Sequence, residues 1–308
     1  MGTDSGSTRS VWMEAAMPAA GPLVGDAATD VCVIGVPGPE WGERVVCCAV
    51  LAPGAAAPSI DALRNLVRTY LGRVPFQNIT MLARPRRSPT LEEIVDDVLS
   101  GRGGPCGVMN PFMAALLHRL GYDVCLLSGS MQEPDCHIAL AVHLEGQEWW
   151  LDVGNGHPYL EPIRLGDDSS RSFAGLTWRV RPLELQSFAV EHLFPGEMDW
   201  KTSYIFAMEP RPFSFFTSMI EAHYTRPCFG PFLLGLRMIR YPHGHIDALR
   251  DQTRLRGAGP VTRDELPDRE AILAAACEIA GEIEMPFEQA FNALEQAGVH
   301  YPRRGEAS

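Results

Sequence analysis

Apolar side chains at Ile60, Leu63, Leu66, Val67 and Leu71 recur at three- and four-residue steps, the spacing of an amphipathic helix. Ser59 stands immediately before them, where a hydroxyl caps an orphan backbone N–H. A second helix is predicted over Leu91–Leu99, with acidic residues near its start, and a third from Cys106 to about Leu120, ended by Gly121. From Asp123 to about Leu185 the pattern becomes that of strands, in the runs DVCLLSGSM, HIALAVHLEG, QEWWLDVG and GLTWRVRPLEL. His137–Leu144 and Glu148–Val153 flank Glu145, Gly146 and Gln147, which predicts a hairpin with a tight glycine turn. Nearer the start, Asp30–Ile34 and Arg44–Leu51 read as two short strands joined by the turn-rich GVPGPEWGE. The stretch 204–251 is mixed, and two helices are predicted near Asp268–Ile283 and Pro286–Gln296. Helices first, antiparallel strands next and a mixed C-terminal portion together predict an α+β fold.

Residues 1–29 are small and without period, which predicts a loose tail ahead of a two-stranded extension over 30–58. A composition of 46% hydrophobic and 21% charged residues in 308 fits a globular chain. The net charge of −12, with Lys201 the only lysine, argues against nucleic acid or an anionic membrane as partner. Eight cysteines are too few for a disulfide scaffold, and no C-x-x-C or C-x-x-H pair offers metal spacing, so no metal is expected. The start lacks a basic segment followed by an apolar run, and no stretch has the roughly 20 apolar residues of a membrane helix, so the expected location is the cytoplasm.

Chemistry concentrates in three segments: Arg102–Gly103–Gly104–Pro105–Cys106, Asp135–Cys136–His137, and Trp150–Leu151–Asp152–Val153–Gly154. Two glycines and a proline force a tight backbone just where a helix begins. A thiol there feels the positive end of the helix dipole, which favours the thiolate, and the free N–H groups suit a developing oxyanion. His137 and Asp152 fall on neighbouring strands of the hairpin, so a thiol, an imidazole and a carboxylate can form a line. Such a triad serves acyl transfer and hydrolysis equally. A silent scaffold that merely keeps the fold is a third reading.

RGGPCGVMN, CHIALAV and WWLDVGNG, with VPFQN about thirty residues before the cysteine, resemble the ordered motifs of the arylamine N-acetyltransferase family. The resemblance covers roughly 59–170. It implies a helical domain carrying the nucleophile (59–130), an antiparallel β-barrel (131–225) and an α/β lid (226–308). It also implies that Cys106 accepts the acyl group, that His137 serves as base and later acid, and that Asp152 orients the imidazole. Phe76, Gly104, Gly107, Gly129, Gly154 and Asn155 would surround the substrate. The implied donor is an acyl thioester, acyl-CoA or an acyl-carrier protein, with a small-molecule amine as acceptor and no bound cofactor or metal.

Two departures alter the surroundings of the triad. Gly107, Val108 and Met109 replace the usual aromatic and glutamate before Asn110, and Asn155 stands where a pocket aromatic is usual. The stretch 30–58 resembles part of the C-terminal subdomain of adenylate-forming enzymes. With Lys201 the sole lysine no catalytic lysine loop is available, so this stretch points only toward a carrier-protein donor, as in the family's natural-product amide synthase branch. Arg84, Arg86 and Arg87 are read as a solvated loop.

Overall fold

The computed structural model describes residues 58–304, together with the backbone of two strands nearer the N-terminus. These strands, β1 (Ala28–Val36) and β2 (Arg44–Leu51), pair antiparallel. Residues 1–27 of the expected tail lie outside the described residues. Ala28 and Thr29 belong to β1 rather than to the tail, because the ladder reaches Ala28 opposite Leu51.

The helical segment begins with α1 (Ile60–Arg73), where Ser59 Oγ accepts from the Ala62 N–H at 3.2 Å. It continues through β3 (Phe76–Gln77), α2 (Ile79–Ala83), α3 (Leu91–Leu99) and α4 (Cys106–Arg119). α3 opens on a reciprocal cap: Thr90 Oγ1 accepts from Glu93 N–H, and the Glu93 carboxylate accepts from Thr90 N–H at 2.7 Å. The arginines ahead of it are not simply solvated. Arg84 donates to the buried Asp97 at 2.6 Å, and Arg87 makes two bonds to Glu93.

The strands that follow are β4 (Asp123–Ser130), β5 (His137–Leu144), β6 (Gln147–Leu151), β7 (Ile163–Arg164), β8 (Arg171–Phe173), β9 (Leu176–Pro182), β10 (Ser187–Leu193) and β11 (Lys201–Ala207). They form one antiparallel sheet in the order β7-β6-β5-β4-β11-β10-β9-β8, curled into a half-barrel around Trp150, Tyr159, Trp178, Tyr204 and Phe206. The hairpin turn between β5 and β6 has two residues rather than three: Leu144 pairs with Gln147, and Glu145 and Gly146 sit at φ 54° and 71°. Glycine takes the second of these left-handed positions without strain. β10 and β11 fall where the periodicity predicts no strand. A bulge between Val190 and Glu191 breaks the alternation of one, and the other opens with three polar residues.

A 3-10 turn at Phe213–Phe216 leads into α5 (Thr217–Thr225). The chain then forms β12 (Arg237–Arg240), β13 (Ile246–Arg250), β14 (Thr253–Gly257) and β15 (Thr262–Glu265), followed by α6 (Arg269–Ala280) and α7 (Phe287–Gln296). The C-terminal sheet has the order β15-β14-β13-β12-β3, so a strand from the helical segment completes it. The expected boundaries shift in two further places. β4, placed in the helical unit, pairs with β5 and β11. α5, placed in the barrel unit, buries Met219 and Ile220 in the core with α1 and α4, beside Phe216 of the preceding turn.

β5 reads as an unbroken apolar run because both its faces are covered. Ile138, Leu140, Val142 and Leu144 face the helical core, while Ala139 and Ala141 face the half-barrel core. His137 therefore enters the interior on the half-barrel side, at the seam between the two cores. No helix among the described residues is long and apolar enough to cross a membrane.

Candidate active site

Cys106 is the first residue of α4, and Pro105 precedes it in extended geometry. Gly103 makes the approach possible. Its φ is +67°, and a Cβ there would lie 2.0 Å from the Pro75 carbonyl oxygen. The first helical bonds run from Val108 and Met109 N–H to Pro105 O, which leaves the Cys106 and Gly107 N–H groups outside the ladder.

His137 begins β5. Its Nε2 lies 2.7 Å from Asp152 Oδ2, and its ring is near enough to the Cys106 sulfur for that sulfur to raise its proton affinity. The register of β5 and β6 explains the pairing. Leu140 opposes Leu151, so one step further Asp152 opposes Ala139, on the same face as His137 and diagonal to it. Cys106, His137 and Asp152 are 2%, 3% and 1% exposed, so reagents reach them only through a cavity.

Asp152 is held on both oxygens. Oδ1 accepts from Asn110 Nδ2 at 2.9 Å and from Gly154 N–H at 3.0 Å, and Oδ2 also accepts from Tyr204 O–H at 2.8 Å. Four donors converge on its two oxygens, and the bond to Nε2 fixes the orientation of the His137 ring. Burial alone would push the His137 imidazole down. The negative charge of Asp152 and the sulfur of Cys106 more than offset it, and together hold His137 well above its ordinary range.

Asn110 and Tyr204 escaped recognition from the sequence. Asn110 stands four residues after Cys106, hence on the same face of α4, and spans the site. Its Nδ2 donates to Ile138 O at 2.6 Å, and its Oδ1 accepts from Val153 N–H at 3.0 Å. That spacing was the available signal. Tyr204 accepts from Trp150 Nε1 at 3.0 Å, and its ring packs tilted against His137 with the centroids 4.8 Å apart. Nothing local in its strand marks it.

A cavity of about 780 Å³ opens onto the triad. Phe76, Cys106, His137, Gly154 and Asn155 line it; Gly104, Gly107 and Gly129 do not. These three serve packing instead. Gly104 bridges to Phe76, Gly107 lies against Ile220, and Gly129 lets Tyr204 and His137 approach over a position without a side chain. Cys136, one residue ahead of β5, also lines the cavity. His157 is another lining residue, and its Nδ1 meets Asn155 Oδ1 at 2.5 Å. His143 is exposed and paired with Glu148. Burial, with the nearby charges of His192, Arg250 and His137, keeps His157 well below the ordinary imidazole range, and burial beside His137 pushes His223 down to about 4. Both are neutral at pH 7.

Gly154 has ordinary backbone geometry, but a Cβ there would sit 2.6 Å from Cys106 Cα and 2.7 Å from Asn110 Nδ2. Gly154→Ala is therefore expected to lower turnover about a hundredfold by displacing Cys106, while overpacking costs about 1–3 kcal/mol. Steady-state rates with a parallel melting curve check this; unchanged turnover would refute the tight fit.

A family model described as N-acetyltransferase matches residues 59–240, more than half of the chain. A proansamycin X synthase of Amycolatopsis mediterranei is 27% identical over 173 residues, covering 52% of this chain and 65% of the synthase. The arylamine N-acetyltransferase of Escherichia coli is 34% identical over 125 residues, covering 37% of this chain and 44% of that protein. Both alignments span less than two thirds of the relatives' own length. The Mycobacterium marinum arylamine N-acetyltransferase, solved in complex with CoA, superposes with a TM-score of 0.67 at 22% identity, covering 79% of this chain and 95% of that one. The α+β architecture is thus that of the arylamine N-acetyltransferase structures, and the chain belongs to the N-acetyltransferase family.

Proposed function

We propose that the protein is a cysteine-dependent acyltransferase that carries an acyl group from a thioester to an amine through an acyl-enzyme on Cys106. The observation that carries this is that Cys106 and His137 line one cavity large enough for two small substrates, with His137 hydrogen-bonded behind it to the fully satisfied Asp152. The family membership supports it. Cys106 sulfur attacks the thioester carbonyl, and the N–H groups at the start of α4 receive the charge that develops on oxygen. The C–S bond to the donor breaks, and the departing thiolate takes the imidazolium proton. The amine nitrogen then attacks the acyl carbon while His137 accepts its proton, and Cys106 leaves as thiolate. Thioester and amine become thiol and amide, and the enzyme returns unchanged.

Acyl-CoA is one donor of this chemistry, and the M. marinum protein was solved with CoA. An acyl-carrier protein is the other. The similarity to a proansamycin X synthase supports placing the chain in the natural-product amide synthase branch.

The test follows the products. With acetyl-CoA or an acetyl carrier-protein thioester and a panel of arylamines, the acyl group is expected in the amide, quantified by liquid chromatography. Recovery as free acid, at a rate indifferent to amine, would make the protein a thioesterase; no consumption of any thioester would make it a scaffold. The pH profile provides a second reading. A group whose proton affinity is raised keeps its proton as the pH rises past its ordinary value. The imidazolium, and with it Cys106 acylation, is therefore retained above about 6.5, and the basic limb falls well beyond that point. A limb centred on the ordinary imidazole value would contradict the ion pair.

A further inference from the structure

The cavity wall carries a charge arrangement that the triad does not use. Arg237 of β12 and Arg250 of β13 are directly opposed across the antiparallel pair, so both side chains leave the sheet on the same face. That face is the cavity face, because Ile239, two residues on from Arg237, also lines the cavity. Met238 and Leu249, on the other face, are buried among α6 and α7. Two cations directly opposed on one sheet face repel, and a fold that needed only a covered strand would not place them so.

Neither arginine forms an ion pair with a carboxylate among the described residues. Arg237 Nε donates to Pro231 O at 3.4 Å, and its Nη groups have no protein partner there. Nearby Asp251 is engaged elsewhere, its Oδ1 accepting from Leu236 N–H at 2.8 Å and from Tyr301 O–H at 3.1 Å. Glu133 is the only acid among the described lining residues. With His157 and His223 neutral, the fixed positive charge of this wall lies on the two guanidiniums.

Their position relative to the nucleophile follows from the sheet. Gly104, two residues before Cys106, bridges to Phe76 of β3, Phe76 pairs with Ile239 of β12, and β12 pairs with β13. Strands are spaced by roughly 4.8 Å and residues by roughly 3.3 Å along a strand, so the arginine backbones lie about 12–16 Å from the loop before Cys106, a span that a substrate and the long arginine side chains cover together.

We infer that Arg237 and Arg250 form an anion subsite that holds a phosphate or carboxylate of one substrate while its reacting end lies at Cys106. The inference rests on the transfer reading above and names the substrate class: one of the two partners is an anion. A planar guanidinium pair suits either oxyanion bidentately. The geometry assigns the charge to a substrate and leaves its source, donor phosphate or acceptor carboxylate, to the experiment.

The probes are acetyl-CoA against the phosphate-free S-acetyl-N-acetylcysteamine as donors, and 4-aminobenzoate against aniline as acceptors. They are used with the wild-type protein and with Arg237→Gln, Arg250→Gln and the double variant. Acylation of Cys106 is followed by intact mass and amide formation by chromatography. If the subsite holds the donor, the acylation-rate ratio of acetyl-CoA to the neutral thioester falls about tenfold per arginine removed. If it holds the acceptor, the 4-aminobenzoate-to-aniline ratio in the deacylation step falls by that amount instead. The inference is overturned if both ratios stay at their wild-type values, or if anionic and neutral probes slow equally. Arg237→Lys and Arg250→Lys, which keep the charge, should retain most of whichever ratio is lost in the glutamine variants; a loss as large as with glutamine would place the effect in packing. Absence of acylation of the wild-type protein by the neutral thioester and acetyl-CoA alike would defeat the transfer reading, a result distinct from acylation without charge preference.

Discussion

A Cys106→Ala variant is expected to lose acyl transfer by about 10⁴-fold or more while keeping its fold. Removing the nucleophile abolishes the covalent route, and what survives is binding and oxyanion stabilisation, which act on the uncatalysed attack alone. The side chain borders a cavity rather than a closed core, so truncating it opens no sealed void and the melting temperature should move little. Steady-state amide formation and a thermal melt decide the matter together. A rate within tenfold of wild type would mean that another group carries the acyl chain. Cys136 and Cys228, which line the same cavity, would be the residues to examine.

The second large effect belongs to Asp152. Every neighbour of its carboxylate is a donor: Asn110 Nδ2 and Gly154 N–H on one oxygen, His137 Nε2 and Tyr204 O–H on the other. In Asp152→Asn the new NH₂ must face one of these pairs. Facing His137, it requires Nε2 to become an acceptor, which moves the ring proton to Nδ1 and takes from the thiol the lone pair it needs. Facing Asn110, it leaves buried donors opposed. Turnover is expected to fall about 10³–10⁴-fold by the tautomer argument, with a stability loss of about 1–3 kcal/mol for the unsatisfied groups. Because thiol, imidazole and carboxylate act as a unit, adding His137→Ala to Asp152→Asn should cost little more than either change alone. Effects that multiply in the double variant would show that the two residues act separately.

The parts of this site legible in the sequence are those built from local chain. Gly103, Gly104 and Pro105 announce a sharp entry into a helix, and the spacing of Ile60 to Leu71 announces α1; both are short-range constraints. The pairing of His137 with Asp152 could be anticipated because a tight glycine turn makes their strands neighbours, whereas the register itself comes from a turn one residue shorter than the sequence suggests. What stayed hidden depends on distant strands. Tyr204 reaches Asp152 from β11, next to β4 in the sheet, although some fifty residues separate the two in sequence. β3 has only two residues, too few to show a period, yet it carries Phe76 into the C-terminal sheet and links the nucleophile's loop to Arg237 and Arg250. Gly129 illustrates the converse. The family resemblance implies that it contacts substrate, whereas the structure uses its missing side chain to bring two rings together.

The central claim is that the acyl group passes through the sulfur of Cys106. Incubating the protein briefly with acetyl-CoA or S-acetyl-N-acetylcysteamine, quenching in acid and mapping the peptides by mass spectrometry tests it directly. One acetyl group on Cys106, and none on Cys125, Cys136, Cys228 or Cys277, discharged on adding an arylamine with matching amide release, is the predicted result. Amide formed while Cys106 stays unmodified at every time point, or acetyl found on another thiol and released to the amine from there, would contradict the account.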